Sequence, residues 1–178
     1  YYAATDRARF EADLSKKTFV ILIRNELKVV VGFSTLSVHR QSVEKEEIDY
    51  IFSGDTILDA SRWGNPTLLR AWFRTAGALK RQLGAQRLYW FPIVKGHRTF
   101  RILPNFFCRY VPGSEDDSAP ELIRIRDAIA TARYGNFFSS ETGVVDFGRS
   151  LGHLRPEWSG VETAASRNRY AAQFLAAN

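Results

Sequence analysis

The residues with chemical potential in this sequence gather at one junction, Ser53-Gly54-Asp55-Thr56-Ile57-Leu58-Asp59-Ala60-Ser61-Arg62-Trp63-Gly64-Asn65-Pro66. Asn65 can cap a helix that has Pro66 at its first position, and Gly64 lets the backbone turn just before it. Such a helix start presents N–H groups without intrahelical partners and a positive dipole end, which is the chemistry of an anion site. Residues 62–109 carry ten Lys or Arg and no Asp or Glu, in a chain whose net charge is only +6. A one-sided field of this kind suits a polyanionic ligand, although each arginine taken singly reads equally well as a solvated helix face. His97 can act as an acid or base near neutral pH, or as a helix cap or phosphate contact. The three histidines, His39, His97 and His153, are scattered without a second ligand at metal spacing, so no metal site is expected. The single cysteine, Cys108, lies among Phe106, Phe107 and Tyr110 and reads as a buried structural thiol.

The elements that must position these residues follow from periodicity. Residues 48–52 read as a strand with one well-buried face. Leu68, Leu69, Trp72, Phe73, Ala76, Leu79 and Leu83 recur at helical spacing, with Arg70, Arg74 and Arg81 on another face. Upstream, residues 6–14 form a short packing helix, and residues 18–24 and 28–36 are apolar, β-branched runs joined by a short connection, hence a hairpin. Gly32 inside the second run signals a bulge or a close backbone approach. Residues 39–47 read as a polar loop. Residues 87–94 (RLYWFPIV) form a further strand. With a helix between it and the 48–52 strand, the two are expected to run parallel through a right-handed crossover. In its Tyr89-Trp90-Phe91 alternation one side faces the core and the other a cleft. Both the 53–65 junction and the Lys95-Gly96-His97 turn then fall at carboxyl ends of strands, where open α/β sheets bind ligands.

Residues 97–110 read as a helix delayed or kinked by Pro104, residues 112–120 as an exposed acidic loop, and residues 121–133 as an amphipathic helix. A late strand over 143–148 and a terminal helix over 162–177 follow. At 178 residues with 45% apolar content the chain is expected to form one domain, with a core over 18–110 and a C-terminal extension over 119–178. No apolar run is long enough to cross a bilayer, so the reading is soluble and cytoplasmic, without a membrane partner. The lack of Met at position 1 leads us to expect that the natural N-terminus lies before Tyr1.

An antiparallel hairpin, a third strand, a crossover helix, a parallel fifth strand and another helix is the order that defines the GNAT N-acyltransferase superfamily, and residues 18–110 resemble it. The fold class expected is α/β (α+β) with a mixed sheet. The strings GFSTL (32–36), SGDTI (53–57), WGN (63–65) and LYWFPIVKGHRTFRILPNFF (88–107) are similar to a bacterial GNAT-like group. The resemblance implies an acetyl-CoA or longer acyl-CoA donor, and an amine that attacks its thioester between splayed fourth and fifth strands. The family's phosphate-holding loop maps onto Arg62-Trp63-Gly64-Asn65, where Arg62 and Gly64 match in type and Trp63, Asn65 and Pro66 depart. Cofactor contacts are thereby assigned to Ser53, Gly54, Arg62, Trp63, Gly64 and Asn65, with Lys95 and Arg98 after the fifth strand. Asp55 and Asp59 are the carboxylates that could take the amine's proton, unless Asp55 caps a turn instead. His97 is a further acid or base, and Tyr110 stands nearest to the family's thiolate-protonating tyrosine. Trp63, in a loop, is a candidate lid or acyl-pocket wall.

Two other classes compete with an enzyme acting on a small-molecule acyl donor and amine. One is a catalytically silent GNAT-like module that binds an acyl or other anionic ligand. The weaker one is a nucleic-acid-binding protein, suggested by a pI of about 9.7, but its basic residues are interleaved with core positions and form no recognised motif. The oligomeric state is open, and a dimer is compatible with the sequence.

Overall fold

A computed structural model describes residues 2–3, 5–112, 120–148, 153–155 and 168–177. The chain falls into two compact units, residues 7–93 and residues 1–6 with 94–178. In chain order the elements are β1 (Tyr2–Ala3), α1 (Arg7–Leu14), β2 (Phe19–Arg24), β3 (Val30–Val43), β4 (Glu46–Leu58), α2 (Thr67–Leu83), β5 (Tyr89–Pro92), α3 (His97–Phe100), α4 (Ile102–Phe106), α5 (Pro120–Tyr134), β6 (Phe138–Ser139), β7 (Val144–Val145), β8 (His153–Leu154) and α6 (Arg169–Ala177).

Within residues 7–93 a four-stranded sheet has the order β2-β3-β4-β5. Its first three strands are antiparallel neighbours, and β5 lies parallel to β4 after the α2 crossover. The mixed α/β class and this strand order are as the sequence predicts. One face of the sheet carries Leu36, Ile51 and Trp90, and α2 lays Trp72 and Leu79 on it to form the core. The Trp72 and Trp90 rings stand 4.6 Å apart. Burying each of these large side chains contributes about 1.5–3 kcal/mol, so this layer fixes the crossover. The opposite face carries Phe33, Tyr50, Phe52 and Phe91, with Phe10 of α1 edge-on to Phe33 at 6.1 Å. Tyr89-Trp90-Phe91 therefore splits as its alternation requires, Trp90 to the α2 side and Phe91 to the other.

Two strand boundaries and the packing of α1 differ from the sequence reading. The polar segment 39–47 is not a loop, because β3 runs to Val43 and β4 starts at Glu46, with Glu44 turning the chain at φ 57°. Polar side chains pair across these strands: Arg40 clamps Asp49 through Nε at 2.7 Å and Nη2 at 2.9 Å, and His39 stacks on Tyr50. Second, β4 continues through residues 53–58, so the first half of the expected junction loop is strand. Third, α1 buries none of its residues. Gly32 does mark a bulge and a close approach. The β2–β3 register slips between Ile23 and Arg24, and a Cβ on Gly32 would stand 2.7 Å from Leu58 Cδ1 and 3.0 Å from the Ile57 carbonyl oxygen.

In the other unit the helix expected over 97–110 is two short ones, α3 and α4, and helix ends at Phe106, so Tyr110 lies beyond it. Cys108 is exposed rather than buried, because the chain has left the helix before reaching it. α5 packs Ile125, Ile129 and Ala130, α6 buries Ala171 and Phe174, and β6 and β7 form a small antiparallel pair. The acidic loop over 113–119 and the 162–167 start of the terminal helix lie outside the described residues. Among the described residues, no helix is long and apolar enough to cross a membrane.

Candidate active site

The sheet is interrupted at one place. Between the pairs Leu36↔Ser53 and Ser34↔Thr56, β3 contributes one residue, Thr35, and β4 contributes two, Gly54 and Asp55. This is a β-bulge, which bends its strand and sharpens the local twist. The Asp55 N–H donates to Thr35 Oγ1 at 3.2 Å, and beyond it Ser34 Oγ and Thr56 Oγ1 join at 2.8 Å to resume the pairing. The ladder to β5 stops at the same level. Its last pair is Ser53↔Pro92, followed by the Ile93 N–H on the Ser53 carbonyl at 3.2 Å. In a parallel ladder the next N–H on β4 is that of Asp55, and the bulge has turned it to Thr35. Residues 54–58 of β4 thus continue with β3 as their ladder partner.

Asp55 is a strand residue, so a turn-capping role for it is excluded. Its carboxylate belongs to a cluster on the α1 side of the sheet. Lys17, whose side chain is only 4% exposed, places Nζ 2.6 Å from Asp13 Oδ2 and 3.9 Å from Asp55 Oδ2, over the Phe52 ring. Burial pushes the Asp55 carboxyl above the ordinary aspartate range, the Lys17 charge pulls against it, and the neighbouring Asp13 adds to the upward push. Asp13 goes the other way: burial also pushes it up, but its hydrogen bond to Lys17 and the charge there outweigh that and hold it low. Lys17 is thus neutralised chiefly by Asp13, leaving Asp55 the more basic carboxylate at the point where the two strands part. Gly54 beside it leaves room for Lys17, whose Nζ would stand 3.5 Å from a Cβ there. Ser53 Oγ accepts the Trp90 indole N–H at 2.7 Å and so serves the core side of the sheet.

The connection from β4 to α2 is pinned by its own side chains. Asp59 Oδ1 accepts Ser61 N–H at 2.9 Å and Ser61 Oγ–H at 2.6 Å, and the Ser61 side chain and amide lower its pKa. Asp59 is accordingly the cap of a 3-10 turn. The Trp63 indole donates to the Leu58 carbonyl at 2.9 Å while its ring stays partly exposed. Gly64 adopts φ 87° with open space around it, a conformation L residues rarely take. Asn65 Oδ1 accepts both the Thr67 N–H at 2.9 Å and the Thr67 hydroxyl at 2.6 Å, which makes it the helix cap the sequence predicts. Residues 63–67 are solvent-exposed, and Arg62 half-buried.

The structure therefore brings Ser53, Gly54 and Asp55 together on β4 and follows them with Arg62, Trp63, Gly64 and Asn65 in the loop. Lys95, His97, Arg98 and Tyr110 belong to the other unit. There His97 opens α3 and is buried, and burial together with the charges of Arg98 and Arg101 pushes its pKa down. Lys95 and Arg98 are exposed and Tyr110 is half-buried. Lys17, Asp13 and Thr35 are the site residues that sequence reasoning missed. The available signal was Asp13 and Lys17 at i, i+4 across the end of α1, a charge pair leading directly into an apolar strand.

No family model matches the chain, and no curated protein matches it. Solved structures do. A tetramutant of a Bacillus halodurans protein is similar at 13% identity, covering 61% of this chain and 71% of its own, with TM-score 0.48. A Trypanosoma brucei acetyltransferase is similar at 12% identity, covering 61% and 75%, with TM-score 0.43. An aminoglycoside acetyltransferase from an uncultured soil metagenomic sample is similar at 13% identity, covering 62% and 73%, with TM-score 0.42. The strand order, parallel last pair and crossover helix of residues 7–93 are those expected from the GNAT resemblance.

Proposed function

We propose that this protein transfers an acyl group from an acyl-CoA, acetyl-CoA or a longer one, to an amine, with Asp55 taking the proton the amine gives up. The observation that carries this reading is a coincidence of position: the β4–β5 ladder ends where a half-buried carboxylate of raised proton affinity stands. The thioester supplies an acyl carbon that can exchange its sulfur for nitrogen, yielding an amide and a free thiol. An amine attacks only as the neutral base, so a carboxylate that holds protons more tightly than an ordinary aspartate is suited to deprotonate it.

The residues present fit such a donor. An acyl-CoA arm carries amides, and β4 beyond Ser53 offers strand backbone of the kind that pairs with an extended amide chain. At the end of that strand, Arg62, the open Gly64 turn and the positive end of α2 suit its anionic portion. The partners are then small molecules, an acyl donor and an amine acceptor, in the cytoplasm. A second reading, a binding module without turnover, is favoured by one observation. Pro66 has no N–H and the Thr67 amide is already committed to Asn65, so the helix start offers a sparse amide cradle.

Calorimetry with acetyl-CoA and longer acyl-CoAs, followed by thiol release on adding amines, tests both. The enzyme reading expects binding and turnover, with Asp55→Asn retaining binding and losing about 100-fold or more in kcat. Binding without thiol release is the result expected of the silent module, and no binding of any acyl-CoA overturns both.

A further inference from the structure

We infer that His97 and Arg101 form a binding site for one small oxyanion, a phosphate or carboxylate group that both side chains hold at once. The inference is independent of the acyl-transfer reading. Arg101 Nε is buried and has no hydrogen-bond acceptor among the described residues. Buried N–H groups are almost always bonded, and an orphaned donor on a charged side chain is costlier than a neutral one. His97 is itself only 4% exposed. The Arg101 amide donates to the His97 carbonyl at 3.0 Å, so the two residues stand one helical turn apart. Side chains so related share a face, with Cβ atoms about 5–6 Å apart. Two oxygens of one anion span that gap while each accepts a charge-assisted hydrogen bond of about 2.7–2.9 Å.

An oxyanion is the ligand because the charge around these residues has one sign. The charges that act on His97 are those of Arg98 and Arg101. Neither α3 nor α4 contains an acidic residue. The helix packed on α3 is α6, where Phe174 meets Phe100 at 5.6 Å, and it too has none; its Arg169 bonds to Tyr170 at 2.7 Å. A water molecule accepts from one buried N–H but leaves the positive field as it was, whereas an anion offsets both costs. Arg101 as a whole is half-buried, which gives the site an approach from solvent.

The experiment is a thermal melt of the 178-residue chain at pH 7 in chloride, and with chloride partly replaced by inorganic phosphate or by acetate at equal ionic strength. The His97 imidazole is followed by NMR in the same titrations. The expected result is saturable binding of at least one of the two anions, a Tm that rises with its concentration, and a His97 pKa that moves up on binding, because a bound anion favours the imidazolium. Arg101→Gln should weaken that binding about tenfold or more and remove the His97 response, while Arg101→Lys keeps part of both. Without phosphate or acetate, Arg101→Gln should melt at or above wild type, and with the bound anion below it; an arginine with a purely structural role would lower Tm in both. Tighter binding of phosphate marks the natural group as a phosphate, and tighter binding of acetate marks it as a carboxylate. Melts and titrations that neither anion moves beyond chloride, or binding that Arg101→Gln leaves unchanged, overturn the inference.

Discussion

Asp55 and Asp13 both face Lys17, yet their substitution should have opposite effects on stability. Asp13 makes the 2.6 Å contact to an ammonium that is almost fully enclosed. Asparagine there removes a charge-assisted bond worth about 1.5–3 kcal/mol when sheltered, reduced to about 1–2 kcal/mol because Asp13 is itself half-exposed. Asp55 stands at 3.9 Å, at the limit of an ion pair, and burial raises its pKa despite the nearby cation. Ionising it is therefore less favourable in the fold than in the unfolded chain. With the discount for its partial exposure, Asp55→Asn should change stability by less than about 1 kcal/mol, and in the stabilising direction at pH 7. For a chain of this size about 2–4 °C in Tm accompanies each kcal/mol, so Asp13→Asn should melt a few degrees below wild type and Asp55→Asn at or slightly above it.

The pH dependence has a definite sign. A carboxyl whose folded pKa lies above its unfolded value penalises folding once it ionises, and the penalty lifts as pH falls through the folded pKa. The gap between Asp55→Asn and wild type should thus be widest at neutral pH and close on acidification. Asp13, held low, contributes stability present above its unfolded pKa and lost only as pH falls through its lower folded value. Differential scanning calorimetry of the three proteins from pH 7 to pH 3 measures all of this. An Asp55→Asn protein destabilised by more than about 2 kcal/mol, with Asp13→Asn neutral, would mean that Asp55 is the structural partner of Lys17, and the base assignment would fall with it.

Gly32→Ala should destabilise by about 1–3 kcal/mol, because its Cβ would meet the Ile57 carbonyl oxygen at 3.0 Å and Leu58 Cδ1 at 2.7 Å, and backbone cannot yield as a side chain can; urea unfolding reads this. Ser53→Ala leaves the Trp90 indole N–H without its 2.7 Å acceptor and should cost about 1–3 kcal/mol, with a change in tryptophan fluorescence as the second readout. Arg40→Met should lower Tm at pH 7, and the deficit should shrink as the pH falls below the ordinary aspartate range. The Arg40 hydrogen bond and charge hold Asp49 below the usual carboxylate range, and the stability so gained is lost as pH falls through that lowered pKa.

What the sequence disclosed, and what it withheld, divides along the range of the interactions. Local periodicity and helix-cap chemistry predicted α2, its Asn65 cap and the parallel crossover, because those depend on residues within one or two turns of each other. It placed the end of β4 six residues early for a physical reason. Gly54 and Asp55 resemble a turn in one dimension, and only the long-range partner Thr35, across the ladder, converts them into a bulge inside a strand. The same non-local contact decides what Asp55 is. Read from its neighbours in sequence it could cap a turn. Set against Lys17 and Asp13, which precede it by some forty residues, it becomes a carboxylate whose charge the fold only partly neutralises. Trp63 illustrates the converse, since its loop position was legible but its indole bond back to Leu58 was not. The bulge turns the Asp55 amide to Thr35, and burial beside Asp13 raises the proton affinity of the carboxylate on the same residue. Substituting Thr35 by Val tests this contact: the Asp55 amide loses its acceptor and the Asp55 carboxylate loses a hydroxyl that holds its pKa down, so the variant should be less stable and the pH dependence due to Asp55 should grow.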